Sequence, residues 1–312
     1  MDSQKKPKVS IGIPTYNRAD GLLREALESA LSQTYENIEI VVSDNCSTDS
    51  TPDFMASFDD PRLRYIRQEQ NLGPNGNFNA CLTASTGDYF ILLCDDDALA
   101  PDMVESCMRA IDYDPTFGVV RCGARVFDEN GRTIYERRNV VKNDSLEAMA
   151  MGWFDKTTAI YLSSTVFNTA ELKRVGGLTS MHNLLEDSYG IARVCRALRM
   201  ANIPDVKASF RRYPAQRTHF VPIREWCEDY IGLLDEFTID MPERRAAEIK
   251  SRGRKYFCGL CLTRVEPIAS PIRRLVARFN VYRLFGFRYA FGRMKARMMR
   301  SVRGVFAPQV VS

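Results

Sequence analysis

The sequence predicts an α/β fold, in which a mostly parallel central sheet is flanked by helices and followed by a helical C-terminal extension. Over residues 9–122, short β-branched runs alternate with amphipathic helical patterns, which is typical of βαβ units. Residues 221–312 show mainly helical patterns. The 312 residues are 45% hydrophobic and 26% charged, which excludes a disordered or collagen-like chain and suits one large domain or two smaller ones.

Each predicted strand in the first part of the chain is a short run of β-branched or aromatic residues that ends at Pro or at a polar cluster. These strands are Val9–Pro14, Ile38–Ser43, Leu63–Arg67, Tyr89–Leu93 and Phe117–Cys122. The predicted helices repeat apolar residues at helical spacing. The first begins after the cap residue Asp20, the second and third occupy Pro52–Ser57 and Phe78–Ser85, and the fourth runs from Pro101 to about Tyr113. Residues 71–77 are predicted to form a loop.

Beyond residue 123 the alternation is less regular. Arg125–Tyr135 predicts a hairpin, because Asp-Glu-Asn-Gly at residues 128–131 is turn chemistry between two strand-like runs. The elements that follow are a strand at Thr158–Phe167, a short helix closed by Gly176-Gly177, a helix over Leu184–Ala201 and a strand over Val206–Tyr213.

Polar clusters follow three of the predicted strands at their carboxyl ends, namely Pro14–Asn17, Asp44-Asn45 and Asp95–Asp97. Ligands of parallel α/β sheets bind at those ends, so we expect the clusters to share one cleft. Adjacent carboxylates repel one another unless a cation lies among them, and oxygen ligands suit Mg²⁺ or Mn²⁺. The alternative is a solvated acidic turn that caps the next helix.

The other candidate residues also have structural alternatives. Asp44 and Asn45 are ordinary turn formers, and Asn17 is a natural helix cap. Glu186 and Asp187 begin a predicted helix, where acidic residues favour the helix dipole, although a general base at that position is the functional alternative. A single histidine such as His219 is more often structural than a ligand.

Taken together, these segments resemble a family-2 glycosyltransferase with the GT-A fold. VSIGIPTYNR at Val9–Arg18 is similar to the opening strand and nucleotide-binding turn of that family, and IEIVVSDNCSTDST at Ile38–Thr51 is similar to its strand followed by V-D-D-G-S-x-D. Asn45 and Cys46 replace the second Asp and the Gly of that motif. Residues 70–99 resemble the stretch that ends in L-x-D-D, with Phe78 in place of the usual Arg.

The resemblance also covers Gly176-Gly177 with Glu186-Asp187, and a weaker R-x-H element at residues 217–219. It implies that Asp187 is the catalytic base and that Asp97 is a direct ligand of Mn²⁺ or Mg²⁺, with Asp95 and His219 as further metal contacts. The residues that it implies for nucleotide-sugar binding are Pro14, Thr15, Tyr16, Asn17, Arg18, Asp44, Asn45, Gly73, Asn79, Asp95, Asp96 and Glu186.

The function that the resemblance implies is inverting sugar transfer in bacterial cell-surface polysaccharide synthesis. The donor would be a nucleoside diphosphate sugar of the UDP or dTDP type, and the acceptor a saccharide or lipid-linked saccharide. The catalytic domain would span residues 1–220, with a nucleotide-sugar half at about 8–122 and an acceptor half at about 123–220. One alternative function is that of a non-catalytic nucleotide-sugar-binding or membrane-binding protein with the same fold. Another is that of a sugar nucleotidyltransferase, but this sequence lacks the Gly-rich N-terminal loop of those enzymes.

The formal charge of +4 divides unevenly along the chain. Residues 251–312 hold fourteen Lys and Arg and a single acid, Glu266, which gives +13 there and −9 on residues 1–250. Basic residues alternate with apolar ones in this tail, which favours binding to an anionic membrane surface. The alternative is a helix that packs on the catalytic domain with a solvated basic face. Nucleic acid is not expected as a partner. The nine cysteines and the lack of a long apolar run predict reduced thiols and a cytoplasmic location on the inner face of the membrane.

Overall fold

The computed structural model describes residues 6–19, 21–214, 216 and 221–289. The chain divides into two compact units, one within residues 1–219 (unit 1) and one within residues 220–312 (unit 2). The strands of unit 1 are β1 Val9–Thr15, β2 Ile38–Asp44, β3 Leu63–Arg67, β4 Tyr89–Leu92, β5 Ala98–Leu99, β6 Phe117–Asp128, β7 Thr133–Arg137, β8 Thr165–Asn168 and β9 Arg199–Arg212. Its helices are α1 Leu22–Leu31, α2 Thr51–Ala56, α3 Gly73–Ala84, α4 Met103–Ala110, α5 Leu146–Phe154, α6 Thr169–Arg174 and α7 Glu186–Val194.

The strands form one sheet in the order β3-β2-β1-β4-β8-β6-β9-β5, with β7 paired to β6. The first four strands are parallel to one another, and the long pair of β6 and β9 is also parallel. The short strand β8 runs antiparallel between β4 and β6. This mostly parallel sheet flanked by helices confirms the predicted fold class.

The register of the sheet brings strand ends together. Thr15 at the end of β1 pairs with Asp44 at the end of β2, and β4 pairs with the other edge of β1. Fully buried side chains such as Ile11, Ile13 and Val42 anchor these strands in the core. The polar residues that follow the strands are therefore held on a rigid frame.

Three boundaries differ from the prediction. Helix α3 begins at Gly73, inside the predicted loop, because Pro74 is well suited to a first helical turn and Asn77 finds buried polar partners. Helix α7 ends at Val194 and β9 begins at Arg199, since β9 pairs with β6 from Phe117 to Asp128. Only the end of the predicted strand at Thr158–Phe167 is extended, as β8.

Unit 2 is helical, as predicted, and contains α8 Ile223–Thr238, α9 Glu243–Val265 and α10 Pro271–Phe285. Its core is aromatic, because Tyr230 stacks on Phe257 with ring centroids 4.2 Å apart and on Trp226 at 5.7 Å. Among the residues that the structure describes, no helix has the length and the apolar character needed to cross a membrane.

Candidate active site

The polar clusters after β1, β2 and β4 meet at one edge of the sheet. Thr15 Oγ1 donates a 2.8 Å hydrogen bond to Asp95 Oδ2, and the backbone N–H of Asn45 donates to Thr15 O at 2.9 Å. Arg18, just beyond β1, places its Nε 3.7 Å from the same carboxylate oxygen of Asp95. Residues from three strand ends therefore surround a common space.

Asp44 and Asn45 organise the loops that line this space. The buried Asp44 carboxylate accepts hydrogen bonds from the backbone N–H of Ser47 at 2.9 Å and from Tyr65 Oη at 2.6 Å. Asn45 accepts from the backbone N–H of Leu72 at 2.7 Å, which ties it to the segment before α3. Both side chains thus shape the rim in addition to any contact with a ligand.

The predicted residues next to them lie on the same rim. Pro14 is buried within β1, while Tyr16 is 44% exposed and Asn17 adopts a positive φ of 53°. The backbone N–H of Asn17 donates to Ser47 Oγ at 2.8 Å, so the turns after β1 and β2 are joined. The backbone N–H of Gly73 donates to Asn71 Oδ1 at the start of α3.

Asn77 on α3 connects the ends of β1 and β2, and the sequence analysis missed it. Its side chain accepts from Ser43 Oγ at 2.6 Å and donates to Ser43 O at 2.8 Å and to Thr15 O at 3.3 Å. The signal for Asn77 lies in the asparagine-rich segment 71–77, whose Gly and Pro residues predict a loop.

The three carboxylates of Asp95–Asp97 point to different partners. Asp96 Oδ2 accepts a 2.8 Å hydrogen bond from Tyr213 Oη, which in turn accepts one from Arg18 Nη2 at 2.7 Å. Asp97 is buried, and its two oxygens accept from Ser163 Oγ and from the backbone N–H of Arg211, each at 3.0 Å. Asp95 and Asp96 are the more open pair.

The surroundings of these carboxylates disfavour negative charge. Burial and the adjacent charge of Asp96 raise the pKa of Asp95 to about 7, although Arg18 and Thr15 oppose the shift. Burial also raises the pKa values of Asp96 and Asp97. A divalent cation among them would remove the repulsion that raises these pKa values, so the site fits a hard metal ion.

The side chains that could ligate such an ion include a cysteine, Cys94, which is not among the predicted metal contacts. One ligand atom each from Cys94, Asp96 and Asp97 lies within 4.8 Å of the other two. Cys94 is partly exposed and directly precedes the triplet. Burial and the neighbouring carboxylates hold the pKa of its thiol well above the usual value. The two carboxylates are therefore the better ligands for Mg²⁺ or Mn²⁺.

Glu186 and Asp187 form the first turn of α7. Glu186 is buried, and its negative charge contributes to the raised pKa of the Cys94 thiol. Asp187 is partly exposed, and its Oδ1 accepts from the backbone N–H of Ser188 at 2.6 Å and from Ser188 Oγ at 3.0 Å. Burial raises the pKa of Asp187, while these two hydrogen bonds and the charge of Arg121 lower it.

Asn79 positions the turn that leads to α7. It donates to Leu178 O at 3.0 Å and accepts from the backbone N–H of Leu178 at 2.9 Å. Gly177 has a φ of +75°, and a Cβ there would lie 2.3 Å from Asn79 Oδ1. Glycine is therefore required at this turn. His219, the third predicted metal contact, lies outside the described residues.

Comparisons with known proteins identify the family of the chain. Residues 10–173 match the family described as Glycosyl transferase family 2. The succinoglycan biosynthesis protein ExoO of Rhizobium meliloti is 40% identical over 108 residues, which are 35% of this chain and 31% of that protein. The GalNAc(5)-diNAcBac-PP-undecaprenol beta-1,3-glucosyltransferase of Campylobacter jejuni is 32% identical over 156 residues, which are 47% of this chain and 50% of that one. The matched parts thus span half or less of these two relatives.

Solved structures share the fold at low sequence identity. S. aureus TarS 1-349 in complex with UDP-GlcNAc superposes with a TM-score of 0.71 at 18% identity, over 89% of this chain and 80% of that one. The mannosyltransferase PcManGT of Pyrobaculum calidifontis, in complex with GDP-Man and Mn²⁺, gives a TM-score of 0.56 at 20% identity, over 97% and 88% of the two chains. With more than half of its length matched by the family model and a GT-A fold around the clustered aspartates, the chain belongs to glycosyltransferase family 2.

Proposed function

We propose that the protein transfers a sugar, with inversion, from a UDP-type or dTDP-type nucleoside diphosphate sugar to a saccharide acceptor. The observation that carries this proposal is the meeting of the β1, β2 and β4 strand ends around Asp95–Asp97. In this proposal, the donor diphosphate binds at the clustered strand ends, and Asp187 supplies the carboxylate that acts as the base.

In the proposed reaction, a hydroxyl of the acceptor attacks the anomeric carbon and the diphosphate leaves in the same step. Asp187 accepts the hydroxyl proton as general base. Its Oδ1 accepts two hydrogen bonds from Ser188, and no described residue donates a hydrogen bond to Oδ2, which supports Oδ2 as the atom that takes the proton.

The negative charge that develops on the leaving diphosphate must be offset. Asp96 and Asp97 would hold Mn²⁺ or Mg²⁺, with Asp95 nearby, and the ion when bound supplies Lewis-acid stabilisation of the diphosphate. Arg18 lies beside Asp95 and Asp96 and provides a further positive charge at the same edge of the sheet.

Two comparisons support the finer assignment. TarS 1-349 was solved with UDP-GlcNAc, which favours a uridine nucleotide donor. The Campylobacter relative is named as a glucosyltransferase acting on an undecaprenol-linked saccharide, which favours a lipid-linked acceptor. On this basis we place the protein in bacterial surface-polysaccharide synthesis.

Nucleotide binding tests the donor assignment. Isothermal titration of UDP, dTDP and GDP, each with Mn²⁺, with Mg²⁺ and with EDTA, should show metal-dependent binding of UDP or dTDP. Sugar donors of the nucleotide that binds are then assayed for release of the nucleoside diphosphate. Metal-independent binding, or the absence of binding by all three nucleotides, would contradict the proposal.

We also propose that unit 2 brings the protein to an anionic membrane surface. Along α10, the side chains of Ile272, Leu275, Val276 and Phe279 are 53–76% exposed and recur at helical spacing, so they form one apolar stripe. Arginines at positions 273, 274, 278 and 283 accompany it, which gives the charge that anionic lipids attract.

Vesicle co-sedimentation tests this location. The intact protein should pellet with vesicles containing phosphatidylglycerol and remain in solution with phosphatidylcholine vesicles. Leu275→Ser with Phe279→Ser should reduce pelleting several-fold. The matched control Ile239→Ser removes a 60% exposed apolar side chain elsewhere in unit 2 and should have no effect. Equal pelleting of all three proteins would contradict the role of α10.

A further inference from the structure

Tyr213 directly follows β9 and lies beside the Asp95–Asp97 triplet. β9 pairs antiparallel with β5, the strand that begins immediately after the triplet, so the residues at the end of β9 run back past it. The backbone N–H of Arg211 donates to Asp97 Oδ1, and Arg211 Nε donates to Asp96 O, each at 3.0 Å. The sheet itself therefore holds the end of β9, and with it Tyr213, against the carboxylates.

The hydroxyl of Tyr213 joins a cation to a carboxylate. Its Oη accepts a 2.7 Å hydrogen bond from Arg18 Nη2 and donates one of 2.8 Å to Asp96 Oδ2. Arginine can only donate, so the hydroxyl accepts from Arg18 and directs its own proton at Asp96. The guanidinium carbon of Arg18 also lies 5.8 Å from the centre of the Tyr213 ring, within the range of a cation–π contact.

Asp96 is one of the two carboxylates that would hold the divalent ion. Its ligand atom lies within 4.8 Å of those of Asp97 and Cys94. Asp97 is fixed by hydrogen bonds to both of its oxygens, whereas Tyr213 is the one described side chain that donates to the Asp96 carboxylate. A hydrogen bond of this kind keeps a carboxylate turned toward its ion, and its loss typically costs about 10–100-fold in metal affinity.

Arg18 is the second group that the hydroxyl fixes. Its side chain is 27% exposed, and its Nε lies 3.7 Å from Asp95 Oδ2. A long side chain that is already held in one position loses less conformational freedom when a ligand binds. The contact with Tyr213 therefore preorganises a positive charge at the edge of the sheet where the donor diphosphate is proposed to bind.

We propose that Tyr213 is a positioning residue that sets both positive charges of the donor site: its O–H orients Asp96 toward the divalent ion, and its oxygen holds Arg18. The inference rests on the proposed metal-dependent binding of a nucleoside diphosphate and adds to it a residue from the predicted acceptor half of unit 1. If the aromatic ring mattered only through packing, phenylalanine would replace this tyrosine without effect.

The test is Tyr213→Phe, which removes the hydroxyl and keeps the ring. UDP affinity is measured by isothermal titration over a series of Mn²⁺ concentrations, with dTDP as the probe if that nucleotide binds instead. The Mn²⁺ concentration at which the UDP association constant reaches half of its maximum should rise about tenfold or more. At saturating Mn²⁺, UDP affinity should fall about three- to tenfold, because Arg18 is no longer held before the nucleotide binds.

A double-mutant cycle with Arg18→Gln separates the two effects of the hydroxyl. Arg18→Gln alone should weaken UDP binding at saturating Mn²⁺. Adding Tyr213→Phe should then lower that affinity by less than about twofold, since the hydroxyl has no cation left to hold. The Mn²⁺ requirement of the double variant should still rise, because Asp96 has lost its hydrogen bond.

The matched control is Tyr35→Phe, which also removes a hydroxyl with one 2.7 Å hydrogen bond, in this case to Pro7 O before β1. Its UDP affinity and Mn²⁺ requirement should equal those of wild type. Circular dichroism checks that each variant is folded. If Tyr213→Phe does not fold, Tyr213→Leu replaces it, because leucine also lacks the hydroxyl and keeps apolar bulk, and the same shifts are expected.

Two results would overturn the inference. An unchanged Mn²⁺ requirement in folded Tyr213→Phe or Tyr213→Leu would show that the hydroxyl does not orient Asp96. Full additivity of the Arg18 and Tyr213 substitutions in UDP affinity would show that the hydroxyl does not position Arg18. Metal-independent binding, or no binding, of nucleotides by wild type would instead refute the proposed donor site itself, so the two failures are distinguishable.

Discussion

Replacing Asn77 with alanine should destabilise unit 1, because this single side chain joins α3 to the ends of β1 and β2. It is buried and makes hydrogen bonds with Ser43 Oγ, Ser43 O and Thr15 O at 2.6, 2.8 and 3.3 Å. Thr15 O keeps another donor, the N–H of Asn45, whereas the Ser43 hydroxyl still accepts from Gln68 Nε2 but loses the acceptor of its own O–H. The cost is therefore set mainly by the lost bonds.

Three lost bonds at about 1 kcal/mol each cost about 3 kcal/mol. Alanine is the better helix former by about 0.5 kcal/mol, which offsets part of this within α3. The expected loss in the free energy of unfolding is about 2.5 kcal/mol, with an unchanged m value.

Urea unfolding followed by tryptophan fluorescence measures this loss. The chain has two tryptophans, Trp153 in unit 1 and Trp226 in unit 2, so a Trp226→Phe background makes the signal specific for unit 1. Asn75→Ala in the same background is the matched control, because the Asn75 side chain donates one bond, to Leu178 O at 2.7 Å, and accepts only a long one, from Asn79 Nδ2 at 3.4 Å. A loss below 1 kcal/mol for Asn77→Ala, or one equal to that of Asn75→Ala, would refute the reasoning.

Three further predictions concern other residues of unit 1. Burial alone would raise the pKa of Glu39, but hydrogen bonds from Lys8, Ser10 and Thr86 lower it to about 2. The contribution of this carboxylate to the free energy of unfolding is therefore present above pH 4.5 and is lost as the pH falls toward 2. Glu39→Gln should cost about 2 kcal/mol at pH 7, after allowance for solvent screening, and flatten the stability curve between pH 4.5 and pH 2 in urea titrations. Asp97→Ala should abolish metal-dependent UDP binding in calorimetry, as EDTA should with wild type, and unchanged Mn²⁺ dependence would remove Asp97 as a ligand. Gly177→Ala should lower the thermal unfolding midpoint by several degrees, because the new Cβ would meet Asn79 at a positive φ, and an unchanged midpoint would contradict the clash.

The sequence predicted the frame of the molecule well, because the β-branched runs in Val9–Pro14 and Ile38–Ser43 alternate with helical periods that leave few other arrangements. It located α3 poorly, since Gly73 and Pro74 signal a loop as strongly as a first helical turn. It overextended the helix after Leu184, because residues 199–201 pair with β6 and residues 195–198 form the turn before them. Pairing across a sheet is a long-range effect that local pattern does not contain.

The residues of the candidate site that directly follow strands, such as Asp44 and Asp95, could be predicted from the sequence. The residues that only hydrogen-bond to other side chains of the site could not. Tyr213 ends a predicted strand, yet nothing in its neighbourhood indicates that it bonds Asp96.

The most direct test of the central claim is sugar transfer by Asp187→Asn under single-turnover conditions, with UDP affinity measured on the same preparation. The proposed mechanism predicts that the transfer rate falls by about 10²–10⁴, the usual contribution of a general base, while Mn²⁺-dependent UDP affinity stays within about threefold of wild type. A transfer rate close to that of wild type would show that Asp187 is not the base and would contradict the mechanism.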